Sequence, residues 1–227
     1  MARRITEVDL VQVLDSRGAP TVKAFIAIAG GRGSATAPSG ASAGSHEAAF
    51  LRDAGNNYGG RSVQAIINER LSALRHALIG IEADDPAIVE QTLRDLNAEL
   101  PTSTSTPWSG LGGNIAMATS VATWLAVADA CDEEPWRTMA RWCEAEPTLP
   151  MPMVNIISGG AHAAAMIEIQ DILVIPVGAR SVEQAIHDAW CARAATSGEL
   201  QRLGHATSLV ADEGGLAAPF ASCTEAI

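Results

Sequence analysis

The stretch that most limits how this chain can fold is Asn114–Ala130, where small and apolar residues run almost all the way round a helical period. A helix without a polar face has to be buried. The chain has 227 residues, 48% of them hydrophobic, which is enough to build a core around such a helix. That length suits one large domain or two modest ones.

Strand-like and then helical patterns precede this helix. Residues 5–14 read as a strand, Asp15-Ser16-Arg17-Gly18-Ala19-Pro20 as its turn, 21–29 as a second strand and 33–37 as a third. This is an antiparallel meander. A loop of small residues follows over 38–47, too long and too glycine-rich for a hairpin turn. Helical spacing returns over 63–78 through Val63, Ile66, Ile67, Leu71 and Leu74. Asp84 and Asp85 stand before Pro86 as cap and first-turn proline of a helix over 86–100. A short helix covers 135–144.

Thr148-Leu-Pro-Met-Pro152 reads as the entrance to a second domain, so the expected division is 1–144 and 145–227. Beyond it come strands at 153–157 and 169–175, a helix at 181–203 and a strand at 208–211. The order strand, strand, helix, strand is the opening of an α/β sheet or barrel.

Several function classes recede on composition. A net charge of −11 argues against nucleic acid and anionic membrane as partners. An anionic substrate stays open, because a bound metal can invert the local field. Cys131, Cys143, Cys191 and Cys223 form no C-x-x-C pair, which reads as free thiols in a reducing compartment. Met1-Ala-Arg-Arg lacks the apolar segment of a secretory signal, and no apolar run reaches membrane-spanning length. A cytoplasmic location follows by elimination.

Chemistry is concentrated at Leu209-Val-Ala-Asp-Glu-Gly-Gly215. Asp212 and Glu213 would leave the end of a short strand together, and Gly214–Gly215 would turn the chain away. Two carboxylates at a strand's C-terminal end are well placed to meet a ligand. An ordinary acidic surface turn has the same composition.

Two further stretches, collinear with this one, decide between those readings. The first is Leu14-Asp-Ser-Arg-Gly-Ala-Pro-Thr-Val22 followed by Pro38-Ser-Gly-Ala-Ser-Ala-Gly-Ser-His-Glu47. The second is Leu111-Gly-Gly-Asn-Ile115, then Pro150-Met-Pro-Met-Val-Asn-Ile-Ile-Ser-Gly-Gly-Ala-His162, with Gln170–Asp171 closing it. Together with Asp212-Glu-Gly-Gly215 they resemble enolase (phosphopyruvate hydratase) over nearly the whole chain. The resemblance implies an α+β N-terminal domain, a three-stranded antiparallel meander plus helices, followed by the start of an enolase-type α/β (TIM-like) barrel. A complete barrel takes about 250 residues, so the segment from Thr148 onward corresponds to its first part only.

The resemblance also implies an activity, the Mg-dependent dehydration of 2-phosphoglycerate to phosphoenolpyruvate, a glycolysis-type reaction. Glu213 would be the general acid that helps the C3 hydroxyl leave. Asp171 matches a glutamate of the family that works beside it, with an arm one methylene shorter. His162 would contact substrate, and Gln170 would hydrogen-bond substrate or metal-bound water. Ala41 would present backbone to the ligand, and Ser42 would ligate a second magnesium. This sequence departs from the family at Ala43 (threonine), Ser158 (asparagine) and Ala211 (glycine), and at Asp53-Ala54-Gly55, where the family is more acidic.

The family's proton-abstracting lysine, its phosphate-side lysine and arginine, and the three carboxylates that hold the first magnesium match nothing here. Lys23 is the one lysine, and it falls in the second meander strand, where it should face solvent. The expectation is an enolase-like lyase subunit, inactive alone and completed by a second polypeptide, with a dimer of such units open. Its substrate would be a small phosphorylated hydroxy-acid. The alternatives are a paralogue acting on another phosphorylated or phosphonylated hydroxy-acid, and a non-catalytic truncated enolase-like binding protein.

Overall fold

The computed structural model describes residues 2–40, 44–102, 104–160, 168–208, 210–211, 213–217, 220 and 222–226. They form two compact units, Met1–Pro147 and Thr148–Ile227. In the first unit, strands β1 (Ile5–Leu14), β2 (Pro20–Ile28) and β3 (Gly31–Thr36) make an antiparallel sheet in that order. Register pairs Val8 with Ile26 and Leu10 with Ala24, so one face collects buried Val8, Leu10, Val22, Ala24 and Ile26. The first turn is closed by a side chain: Oδ1 of Asp15 accepts from the amides of Arg17 and Ala19, each at 2.9 Å.

Helices α1 (Gln64–Leu78), α2 (Pro86–Glu99), α3 (Gly113–Ala130) and α4 (Pro135–Trp142) complete the unit. Helix α3 is the buried one, lying on β2 and β3 with Ile115, Ala118, Ala122, Ala126 and Val127 in the core. Its small residues have a specific cause. A Cβ on Gly33 would overlap the Ala122 carbonyl oxygen and the Ala126 nitrogen, and one on Gly31 would overlap the Ala126 oxygen. Backbone meets backbone there, and only glycine on the strand permits it. The third strand accordingly begins at Gly31 rather than Gly33, since glycines carry no alternation for a sequence reading to detect.

The other helices start where their caps allow. Asp85 accepts from the Ala87 amide at 2.9 Å, with Pro86 in the first turn. Helix α1 has no side-chain cap of its own. Asp53 serves it from outside: Oδ1 accepts from the Ile66 amide at 2.9 Å, and Oδ2 from the Ala65 amide at 3.0 Å and the Ser62 hydroxyl at 2.5 Å. Asp53, the one acidic residue in the triplet Asp53-Ala54-Gly55, therefore has a structural role.

In the second unit, β4 (Val154–Ser158) and β5 (Asp171–Val174) pair antiparallel, followed by α5 (Val182–Arg202) and a short α6 (Cys223–Ala226). Leu216 adds a parallel bridge to Ile157 on β4. Among the described residues the barrel is not closed. The strand expected at 208–211 is not present among those of its residues that are described. Val210 makes only an isolated bridge to Leu216, because the Ala211 amide and carbonyl are taken by Gly215 and Gly214 within a turn. Pairing with β4 falls after the two glycines instead: the Leu216 amide donates to Ile156 at 2.8 Å, and its carbonyl accepts from Ser158 at 3.0 Å. Among the described residues no single helix is long and apolar enough to cross a membrane.

Two stability predictions follow from these contacts. Gly33→Ala should cost about 3 kcal/mol, the upper range for overpacking, because helix backbone cannot yield as a side chain can; urea unfolding of the chain reads it. Asp53→Ala should cost about 1 kcal/mol at neutral pH, as a lost cap does. Burial opposes ionisation of Asp53, but the Ser62 hydroxyl and the amides of α1 outweigh it and hold the carboxyl below its ordinary value. Its contribution should be complete above about pH 4, the ordinary aspartate value, and vanish as pH falls through the lower folded one. Thermal unfolding over a pH series should show the variant converging on the parent in acid.

Candidate active site

In the second unit the candidate residues meet on one amide. Asn155 projects its Nδ2 to Asp171 Oδ1 at 2.6 Å, to Ser158 Oγ at 2.9 Å and to Glu213 Oε2 at 3.4 Å. A bulge explains how Asn155 and Ser158 can share a face. Register runs Asn155↔Leu173, Ile157↔Ile172, Ser158↔Asp171, leaving Ile156 as an extra residue on β4. Without it, positions three apart would point to opposite faces of the sheet. With it, Asn155 and Ser158 turn to the side where Asp171 begins β5.

Glu213 is delivered by the Gly214–Gly215 turn. Gly214 takes φ 81°, a left-handed conformation that favours glycine. Gly215 is needed for another reason: a Cβ there would overlap Ser158 Oγ and come within 2.8 Å of Asn155 Oδ1. Arg193 on α5 also holds the turn, donating to the Gly214 carbonyl at 3.0 Å. Asn155 Oδ1 is buried with no hydrogen-bond partner among the described residues.

In the first unit, the two collinear stretches anchor both ends of the loop over 38–47. At its start, the Ser39 hydroxyl donates to Asp15 Oδ2 at 2.7 Å, and Arg17 Nη1 donates to the Ser39 carbonyl at 3.1 Å. The Ser39 hydroxyl and then the Ala19 amide hold the Asp15 carboxyl below its ordinary range. Past its end, Asn114 grips Leu51 from both sides: Oδ1 accepts the Leu51 amide at 3.3 Å and Nδ2 donates to its carbonyl at 3.1 Å. The Gly113 amide donates to Ala49 at 2.8 Å.

Of the residues singled out from sequence, Asp171 and Glu213 come together at Asn155. Gln170 is exposed beside them, its carbonyl accepting from Gly159 at 2.6 Å. Ala41, Ser42 and His162 lie outside the described residues, as does Asp212. Lys23 rests 5.1 Å from the centre of the Phe25 ring on the outer side of β2, occupied away from the core. Asn155, Asp15, Arg17 and Asn114 had not been singled out as site residues. An asparagine inside the apolar run Met153–Ile157 was the available signal for the first.

Asp171 and Glu213 carry hard oxygen donors of the kind magnesium takes. Among the described residues, however, no three acidic, histidine or cysteine side chains gather closely enough to hold a metal ion. The described set alone does not fit a magnesium site.

Comparison with known families gives two matches. A family model described as enolase, N-terminal domain, matches residues 5–139, and one described as enolase, C-terminal TIM barrel domain, matches residues 146–227.

The two turn glycines should respond differently to substitution. Gly215→Ala should cost about 2 kcal/mol and speed hydrogen exchange at the Ser158 and Leu216 amides, since the new methyl displaces both Asn155 and Ser158. Gly214→Ala meets open space and bears only the positive φ, about 1 kcal/mol, with those two amides unchanged.

Proposed function

The chain belongs to the enolase family, and from that premise we propose that it is an enolase-like hydro-lyase subunit that dehydrates 2-phosphoglycerate to phosphoenolpyruvate. One observation carries this reading: Glu213, from 58 residues away, and Asp171 reach the same amide nitrogen. Dehydration removes a weakly acidic proton next to a carboxylate and expels hydroxide from the neighbouring carbon. Glu213, in its protonated form, gives its proton to the leaving C3 hydroxyl, which departs as water. Asp171 stands beside it to exchange that proton, and Gln170, His162 and Ala41 hold the substrate.

Residues 1–227 offer no counterpart for the base that takes the C2 proton. We place that base, and the carboxylates for magnesium, on polypeptide that completes the barrel, whether continuous with this chain or a second one. Ser42 would add its hydroxyl to a second ion. Exposed Leu173 on β5 and Ile169 and Ile175 on either side of that strand, with Val182, Ile186 and Trp190 on α5, are the apolar surface such a completion would cover. A dimer of completed units and a cytoplasmic location belong to the same reading.

A second reading concerns the substrate alone. Both Ser158 and Asp171 depart from the family, and both bond the same Asn155 amide. Paired departures at one contact favour a related phosphorylated or phosphonylated hydroxy-acid.

Activity measurements on the chain with its barrel completed separate these readings. Glu213→Gln should assemble, bind 2-phosphoglycerate near normally, and lose about two orders of magnitude in rate, the contribution of a positioned acid. Full activity in that variant would refute the acid role. Turnover of a different phosphorylated or phosphonylated hydroxy-acid but not of 2-phosphoglycerate would establish the second reading. Binding without turnover of any of them would leave a non-catalytic binding protein.

A further inference from the structure

We propose that Asn155 is a positioning residue that transfers one hydrogen bond from Ser158 to Glu213 as Glu213 gives up its proton. The proposal rests on the lyase reading for the identity of the acid. Its geometry is independent of that reading.

Three oxygens crowd one nitrogen that has two hydrogens. Asp171 at 2.6 Å and Ser158 at 2.9 Å are the close pair, and Glu213 waits at 3.4 Å. An amide nitrogen can only donate. Toward a protonated Glu213 it has little to gain. Toward the carboxylate left after proton transfer the contact becomes charge-assisted, roughly twice as strong as a neutral one. The Ser158 hydroxyl can release its share, since it both donates and accepts and can rotate. The balance is complete: the proton passes from Glu213 to the leaving hydroxyl, which departs as water. Glu213 keeps the electron pair as a carboxylate, and both hydrogens stay on Asn155. A bond that strengthens during the step accelerates it.

The orientation of Asn155 is held at a cost that fits this use. Its Oδ1 is buried without a partner among the described residues, and a buried polar atom left unpaired is destabilising. Turning the amide over would aim that oxygen at three other oxygens, so the nitrogen stays toward the acids. Gly215 lies beside both groups, where a Cβ would come within 2.8 Å of Asn155 Oδ1 and overlap Ser158 Oγ, so only glycine leaves this arrangement undisturbed. Ser158, where the family has asparagine, supplies the hydroxyl that can let go.

The isolated chain tests the sharing directly. The side-chain amide signals of Asn155 in a 15N-labelled sample should shift in both Glu213→Gln and Asp171→Asn. Signals unmoved by Glu213→Gln overturn the proposal, whatever the activity. In the completed enzyme, Asn155→Leu should lower kcat by about tenfold to a hundredfold with KM within about twofold, as for a lost transition-state donor. An unchanged kcat, or a loss carried wholly by KM, overturns it. Should the leucine variant fail to fold, Asn155→Asp keeps the shape while replacing donor by acceptor, and parental activity there also overturns it. A parent enzyme that dehydrates nothing refutes the lyase reading, and the amide signals then decide the sharing alone.

Discussion

The first unit depends on one close approach, the backbone of β3 against the backbone of α3 at Gly31 and Gly33. Side chains of ordinary size would separate helix and sheet by several ångströms. Here alanines at 122 and 126 face glycines, and the two layers touch. That contact fixes α3 along its length and therefore fixes its first turn. Asn114 in that turn grips the Leu51 backbone from both sides. The segment after the small-residue loop is thus located by the same packing that forms the core. At the loop's other end, Asp15 is fixed by the β1–β2 turn and holds Ser39. Two anchors come from two rigid elements, so the segments at either end of the loop lie at defined places.

Much of this was legible in the sequence, and the reasons differ by element. Alternation located the second strand, although Thr21 and Ala27 on its other face are buried too. The apolar circumference of Asn114–Ala130 located α3, and Asp85 before Pro86 located the start of α2. The residues that failed to announce themselves act over distance. Asp53 caps a helix that begins eleven positions later, at Gln64, and no local pattern signals that. Leu209-Val-Ala211 has a strand's composition, yet Ala211 spends both its backbone groups on the turn, and pairing moves to Leu216. Asn155 and Ser158, three apart, belong on opposite faces by period two; the extra Ile156 puts them together. The roles of Glu213, Asp171, Gln170, His162, Ala41 and Ser42 came from family resemblance and not from any spacing that geometry alone would single out.

The two units solve one problem in the same way. Each must hold an irregular segment in place without a strand ladder or helix to do it. In each, an asparagine amide reaches across to the segment, and a glycine beside the contact removes the side chain that would keep it away. In the first unit the pair is Asn114 and Gly113, whose Cβ would come 2.7 Å from that of Ala48. In the second it is Asn155 and Gly215. The difference lies in what the amide grips. Asn114 satisfies both its oxygen and its nitrogen on the Leu51 backbone, a closed arrangement that can only be structural. Asn155 spends its nitrogen on oxygens of two acids and a hydroxyl and leaves its own oxygen unpaired among the described residues. A purely structural contact would gain by pairing that oxygen, as Asn114 does. A donor facing carboxylates with its acceptor unpaired is what the proposed transfer to Glu213 would use, since the charge on a carboxylate is the quantity that changes when an acid gives up its proton.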